Sequence, residues 1–161
     1  MSLINHRRRS DRWHGASQKV GQSAAPLFLD RIDIQCEITP VPFKDISKAA
    51  QGEPSAEIRK RVIRAREIQA ERFSGQKGIH CNAQMSERMI HQYAEPDEAG
   101  ISMLRMAMER LSLSARAYTR ILKVARTIAD LEGCEHVESH HLAEAIGYRT
   151  LDRGDWAERG I

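Results

Sequence analysis

At 161 residues, with 41% hydrophobic and 29% charged side chains, the chain has the size and polarity of one folded domain plus an extension. No stretch approaches the roughly 18 consecutive apolar residues of a membrane span, and the basic start is not followed by the apolar run of a secretory signal. A cytoplasmic chain with no membrane partner is therefore expected, and Cys36, Cys81 and Cys134, far apart and in no CxxC pair, read as reduced structural thiols.

The formal net charge of +3 is unevenly placed. Residues 1–31 carry six cations against two carboxylates, a net +4, which leaves −1 for the remainder. The basicity thus belongs to the opening stretch, MSLINHRRRSDRWHGASQKVGQSAAP, which has neither helical nor strand period and reads as a mobile leader over residues 1–26. The next run, LFLDRIDIQCEITPVP, alternates. Ile32, Ile34, Cys36 and Ile38 fall on one side and Asp33, Gln35, Glu37 and Thr39 on the other, which predicts a strand over 28–39 closed by Pro40 and Pro42. No second convincing strand follows, so its backbone groups lack a ladder partner, the first sign of a piece of something larger.

Downstream of the prolines the period becomes helical. Phe43 to Ala50 predicts a short helix broken by Gly52 and Pro54, and a long helix follows from Ser55 to about Phe73. Its expected inner stripe is Ile58, Val62, Ala65, Ile68 and Phe73. Asn82 is placed to cap a helix through Tyr93, with Met85, Met89 and Ile90 inward. Pro96 and Asp97 open another whose Leu104, Met108 and Leu111 face the core. In LSARAYTRILKVARTIADLEG, Ser114 is the expected N-cap, Gly133 the stop, and Tyr118, Ile121, Leu122, Ala125, Ile128 and Ala129 the apolar face. Ser139 is expected to cap a last helix packing Leu142, Ala145 and Ile146, ahead of a polar tail.

Three polar constellations could carry chemistry. Arg116, Arg120, Lys123, Thr127 and Asp130 share a second face of the arginine-bearing helix, which is either an anion site or a solvated charge stripe, and spacing alone favours the stripe. Arg59, Lys60, Arg61, Arg64, Arg66 and Arg72 are interleaved with Glu57, Glu67 and Glu71, so a partly self-neutralised solvated face outweighs a phosphate-tracking one. Cys134, His136, His140 and His141 include an i,i+4 histidine pair, but Ser139 begins a helix between them and no HExxH glutamate is present, so no metal site is expected. The sequence contains no GxxxxGK[ST] loop, no GxGxxG after a strand and no GxSxG elbow.

Two stretches together resemble a family: LDRIDIQCEITPVP, and LSARAYTRILKVARTIADLEG followed by HLAEAIGYRTLDR. With SAEIRKRVIRAREIQAERF and NAQM between them, they are similar to the C-terminal part of the magnesium-chelatase-like AAA+ ATPases of the YifB or ComM competence-protein group, over roughly residues 27–153. The resemblance implies an all-α helical lid over 43–153, a residual core strand over 27–42 and a tail over 154–161. It also implies assembly of the parent into a ring, expected to be hexameric, with ATP and magnesium as the parent's cofactors and none in the fragment. By position, Arg31 in LDRID matches the arginine finger reaching the neighbouring subunit's nucleotide, and Arg116 in LSARAY matches the sensor-2 arginine that faces the γ-phosphate in its own subunit. Arg120 and Arg126 acquire no role from the resemblance; packing or salt bridges are the alternatives. SAAPLFLDRID departs from the family's pattern by a lost glycine and an added residue, and Walker A, Walker B and the sensor-1 strand are missing. The expectation is a fragment that neither binds ATP well nor hydrolyses it alone, while its parent couples hydrolysis to DNA remodelling. The rival readings are a stand-alone helical DNA-binding module and part of a magnesium-insertion ATPase subunit.

Overall fold

A computed structural model describes residues 31–36, 38, 40 and 52–149. The expected leader, the short helix at 43–50 and the tail lie outside the described residues. Those that are described form five α-helices and one 3-10 turn: α1 (Ser55–Arg72), the turn Asn82–Gln84, α2 (Glu87–Tyr93), α3 (Glu98–Leu111), α4 (Ala115–Glu132) and α5 (Ser139–Gly147). The described residues are all-α, as expected.

α4 is the central element, packing against α1, the 3-10 turn, α2 and α5, while α3 packs on α5. Local chemistry sets its ends. The Ser114 hydroxyl accepts from the Ala117 N–H at 3.1 Å, and Gly133 turns the chain into the left-handed region (φ 80°), where the Cys134 N–H reaches back to the Ala129 carbonyl at 2.8 Å. Between these caps Ile121, Leu122, Ala125, Ile128 and Ala129 are buried as the spacing predicts, and Tyr118 is half-buried beside them. α3 begins at Asp97, whose carboxylate accepts from the Gly100 N–H at 2.7 Å. Gly100 is needed there, since a Cβ would stand 2.6 Å from Leu142 of α5 and 2.8 Å from Pro96.

Four expectations are corrected. Ser139 does not cap α5 but is its first residue, and Glu138 takes the cap position. Asn82 does not cap α2; Ser86 does, and Asn82 is drawn inward, 1% exposed, by the polar cluster described next. In α1 only the second half of the stripe is buried: Ala65 and Phe73 are covered, whereas Ile58 and Val62 are exposed, because α4 reaches only the C-terminal part of that helix. None of the described residues in 31–40 is in a strand. The faces are also exchanged, with Gln35 buried and Ile34, Cys36 and Ile38 exposed, because the segment lies against helices and not within a sheet.

The cluster inside the bundle is ionic. Asp130 of α4, fully buried, accepts two hydrogen bonds from Arg72 of α1 (2.8 and 2.6 Å), one from the Asn82 amide (2.7 Å) and one from Arg126 Nε (3.1 Å). Arg126, 1% exposed, spends its remaining donors on the carbonyls of Glu135 (2.7 Å) and Cys134 (2.6 Å), just past the end of α4. Burial alone would raise the Asp130 pKa, but hydrogen bonds from Arg72 and Asn82 and the two guanidinium charges outweigh it and hold the carboxyl below its usual range. Arg126 is lowered mainly by burial, offset in part by Asp130.

Replacing Asp130 by Asn keeps the volume but leaves two buried guanidinium groups facing a neutral amide. A loss of about 3–5 kcal/mol is expected in urea unfolding monitored by circular dichroism. Because the folded pKa is depressed, the carboxylate's contribution is present above the unfolded value and disappears as pH falls through the folded one, so the deficit of the Asn variant should shrink in strong acid.

Candidate phosphate-facing site

The arginine-bearing face of α4 begins with the helix itself. The first turn of α4 contains no acidic residue, unlike those of α1, α2 and α3, and its unsatisfied N–H groups carry partial positive charge. Arg116 is the second residue of α4 and is exposed; Arg120 follows one turn later, about 6 Å on at Cβ. The Arg116 guanidinium and the helix N-terminus therefore add their fields at one end of the domain, while the charge of Arg120 is offset by Asp33.

The expected solvated stripe does not exist as such, because most of its members are engaged. Arg120 Nη1 donates to the Arg31 carbonyl and pairs with the Asp33 carboxylate. Lys123 Nζ donates to the Ala83 carbonyl at 2.8 Å. The Thr127 hydroxyl accepts from the Asn82 amide at 3.1 Å and donates to the Lys123 carbonyl, and Asp130 is buried in the ionic cluster. Arg126, left by the sequence as packing or a salt bridge, is both.

The Arg31 segment is held to the helices at further points. Arg149, just past α5 and 1% exposed, donates to the Ile32 carbonyl, and the Gln35 N–H donates to the Tyr148 carbonyl at 3.1 Å. Arg31 itself sits in a turn, exposed, with its carbonyl bound one helical turn from Arg116. The two arginines singled out by resemblance, 85 positions apart in sequence, are thus brought to the same end of α4. Beneath the segment a cleft of about 340 Å³ opens between Ile34, Arg120, Lys123, Val124, Ile128 and Tyr148, with cations at its rim and apolar walls.

The histidines do something else. Among the described residues Glu132, His140 and His141 bring potential ligand atoms within 4.8 Å of one another, whereas Cys134 and His136 do not join them. The Glu138 N–H donates to His141 Nδ1 at 2.9 Å, closing the start of α5. A neutral His141 then carries its proton on Nε2, which faces Glu132 Oε2 at 3.1 Å as a donor and so does not offer a lone pair to a metal there. The same carboxylate meets His140 Nε2 at 2.9 Å and so ties the end of α4 to the start of α5. Three of the six basic residues of α1 are paired within the chain: Lys60 with Glu57 at 2.8 Å, Arg61 with Glu53, and Arg72 with Asp130.

Sequence reasoning missed Arg149, Arg72 and Asn82 as organising groups. Their partners lie 117, 58 and 48 positions away, and no local pattern signals such pairs. No described helix is long and apolar enough to cross a membrane.

Comparison with known proteins matches residues 52–149 to the family model described as magnesium chelatase, subunit ChlI C-terminal. The chain is 41% identical over 127 residues to a protein named competence protein ComM from Haemophilus influenzae, covering 78% of this chain and 24% of that one. Over the same length and shares it is 42% identical to an uncharacterized protein YifB of Salmonella typhimurium and 39% identical to its namesake in Escherichia coli. The chain spans about a quarter of the length of these relatives.

The hydrogen bond that the His140 ring donates to the Glu132 carboxylate raises the His140 pKa above the ordinary imidazole value. Their ionic contact is therefore fully present at pH below that ordinary value and is lost as pH rises through the raised one. In an NMR titration the His140 ring should show a midpoint above about 6.5 that moves back toward it in Glu132→Gln. An unmoved midpoint would contradict the pairing.

Proposed function

Because the chain belongs to the magnesium chelatase ChlI C-terminal family, over residues 52–149, we propose that it is the helical lid of a ring-forming AAA+ ATPase of the ComM type. In this reading Arg116 and Arg31 contact nucleotide phosphates, and the ring, a hexamer, uses hydrolysis to remodel DNA in the cytoplasm. The name of the Haemophilus relative, a competence protein, supports DNA as the substrate of the motor.

The observation that carries the proposal is that the Arg31 backbone is bound by Arg120, one turn along the helix whose positively polarised end carries Arg116. Exposed guanidinium groups suit phosphate oxygens, offering forked donors and a charge that persists at any physiological pH. ATP with its magnesium would supply the transferable phosphoryl group. The chain's own contribution is to bind the phosphate oxygens and to neutralise the negative charge that grows on them during transfer. The amide-lined loop that wraps phosphates is not in this sequence, which matches a lid and not a self-sufficient nucleotide site. The internal pairing of Lys60, Arg61 and Arg72 weakens the rival reading of α1 as a DNA-binding stripe.

Calorimetry on the 161-residue chain should give ATP binding no tighter than about millimolar, since two arginines replace few of the contacts a phosphate loop makes. Micromolar binding would contradict the lid assignment.

In an assembled family ATPase carrying this domain, Arg31→Ala and Arg116→Ala should each lower turnover by about a thousandfold or more, with melting curves unchanged because both residues are exposed. With Arg31 reaching the neighbouring subunit's nucleotide and Arg116 its own, mixed rings of the two inactive variants should recover part of the turnover. Mixed rings that stay inactive at every ratio would mean that at least one of the two arginines has another role.

A further inference from the structure

Arg120 is given no role by resemblance, yet it is the residue that joins the two halves of the candidate site. Its guanidinium binds the Arg31 carbonyl and the Asp33 carboxylate together, bridging positions on either side of Ile32. Arg149 takes the intervening Ile32 carbonyl from the other side, and the Tyr148 carbonyl takes the Gln35 N–H. Four backbone or side-chain anchors on the five residues from Arg31 to Gln35 are therefore claimed by groups of α4 and of the turn after α5. None of these four is an apolar contact, and the adjacent Ile34, in the wall of the cleft, is half exposed at 52%. Directional polar contacts therefore do much to place the segment.

We propose that Arg120, with Arg149, is a positioning residue that sets where the Arg31 side chain points by clamping its backbone to the lid. This rests on the phosphate-facing reading of Arg31 given above. The physical argument is one of geometry. A side chain that must meet a phosphate oxygen has little tolerance for misplacement, and an exposed turn without apolar anchoring would spread over many conformations. A planar guanidinium that holds two acceptors of the same turn removes that freedom at a single point. Arg120 is itself directed by its helix: it lies on α4 one turn from Arg116, and its side chain is about three-quarters covered. Any rotation or tilt of α4 relative to the rest of a parent ATPase is then carried directly to Arg31. The clamp makes the finger and the lid helix one mechanical unit.

Two measurements test this separately. In the 161-residue chain with Cys81 and Cys134 replaced by Ser, a nitroxide label on the exposed Cys36 reports the segment's mobility. Arg120→Ala and Asp33→Asn should each sharpen its spectrum toward free rotation. Lys60→Ala, on α1 and paired there with Glu57, should leave it unchanged. Arg120→Lys, which keeps a charge opposite Asp33 but not the planar guanidinium whose Nη1 meets both acceptors, should fall between, and it serves if the Ala variant folds poorly. A label spectrum that does not respond to Arg120→Ala or Arg120→Lys overturns the clamp itself.

In the assembled ATPase, Arg120→Ala should lower kcat at least tenfold with little change in KM, and this loss should vanish when Arg31 is already Ala, because Arg120 acts only through it. A merely structural Arg120 would lower activity equally in both backgrounds, and that additive result overturns the positioning role. If Arg31→Ala leaves turnover intact, the phosphate-facing reading fails and the functional half of this inference fails with it, whatever the label shows.

Discussion

A single buried carboxylate organises this domain. Asp130 is fully enclosed, and an unpaired charge there would be untenable, so the bundle must deliver donors to it from several places at once. They come from Arg72 at the end of α1, Asn82 in the 3-10 turn and Arg126 one turn earlier in α4. Satisfying one charge thus forces three separate stretches of chain into register. Arg126 extends the demand by capping the carbonyls after α4, where Cys134 and Glu135 lead into α5. Such ionic clusters contribute less net stability than their number of contacts suggests, since both signs are desolvated, but they discriminate sharply between the right arrangement and a slipped one.

That register has consequences at the opposite end of α4. With its lower half locked by the cluster and its apolar face sunk among Met89, Ile90, Leu142 and Ala145, the helix can turn only one flank outward. Arg116, Arg120 and Lys123 occupy that flank. Their fates then diverge with distance from the helix start: Lys123 is consumed by the Ala83 carbonyl, Arg120 by the Arg31 turn, and Arg116 stays exposed beside the helix N-terminus. A gradient from structural to solvent-facing cations along a single helix is what a domain needs if it is to hold itself together at one end and meet an anion at the other.

The first half of α1 stands outside this economy. Its Ile58, Val62 and Ile63 are exposed, while the same helix buries Ala65 and Gln69 further on. The chain spans about a quarter of its relatives' length.

How much of this was legible beforehand depended on the range of the interaction. Helix positions, the Ser114 cap, the Gly133 stop and the buried face of α4 follow from period and capping chemistry, which act over three or four residues and are written locally. The resemblance carried by RILKVARTIADL placed the chain in its family and pointed to Arg116 and Arg31. What sequence could not assign was the destination of each polar side chain. The stripe from Arg116 to Asp130 reads as one solvated face, yet tertiary packing divides it among a buried ion cluster, a carbonyl anchor and a clamp. Likewise the alternation over 31–39 is that of a strand, but without a ladder partner among the described residues its backbone bonds went to Arg120, Arg149 and Tyr148 instead. Apolar periodicity says which face of a helix is buried; only the assembled fold decides which distant donor meets which acceptor, because hydrogen bonds are short, directional and indifferent to separation along the chain.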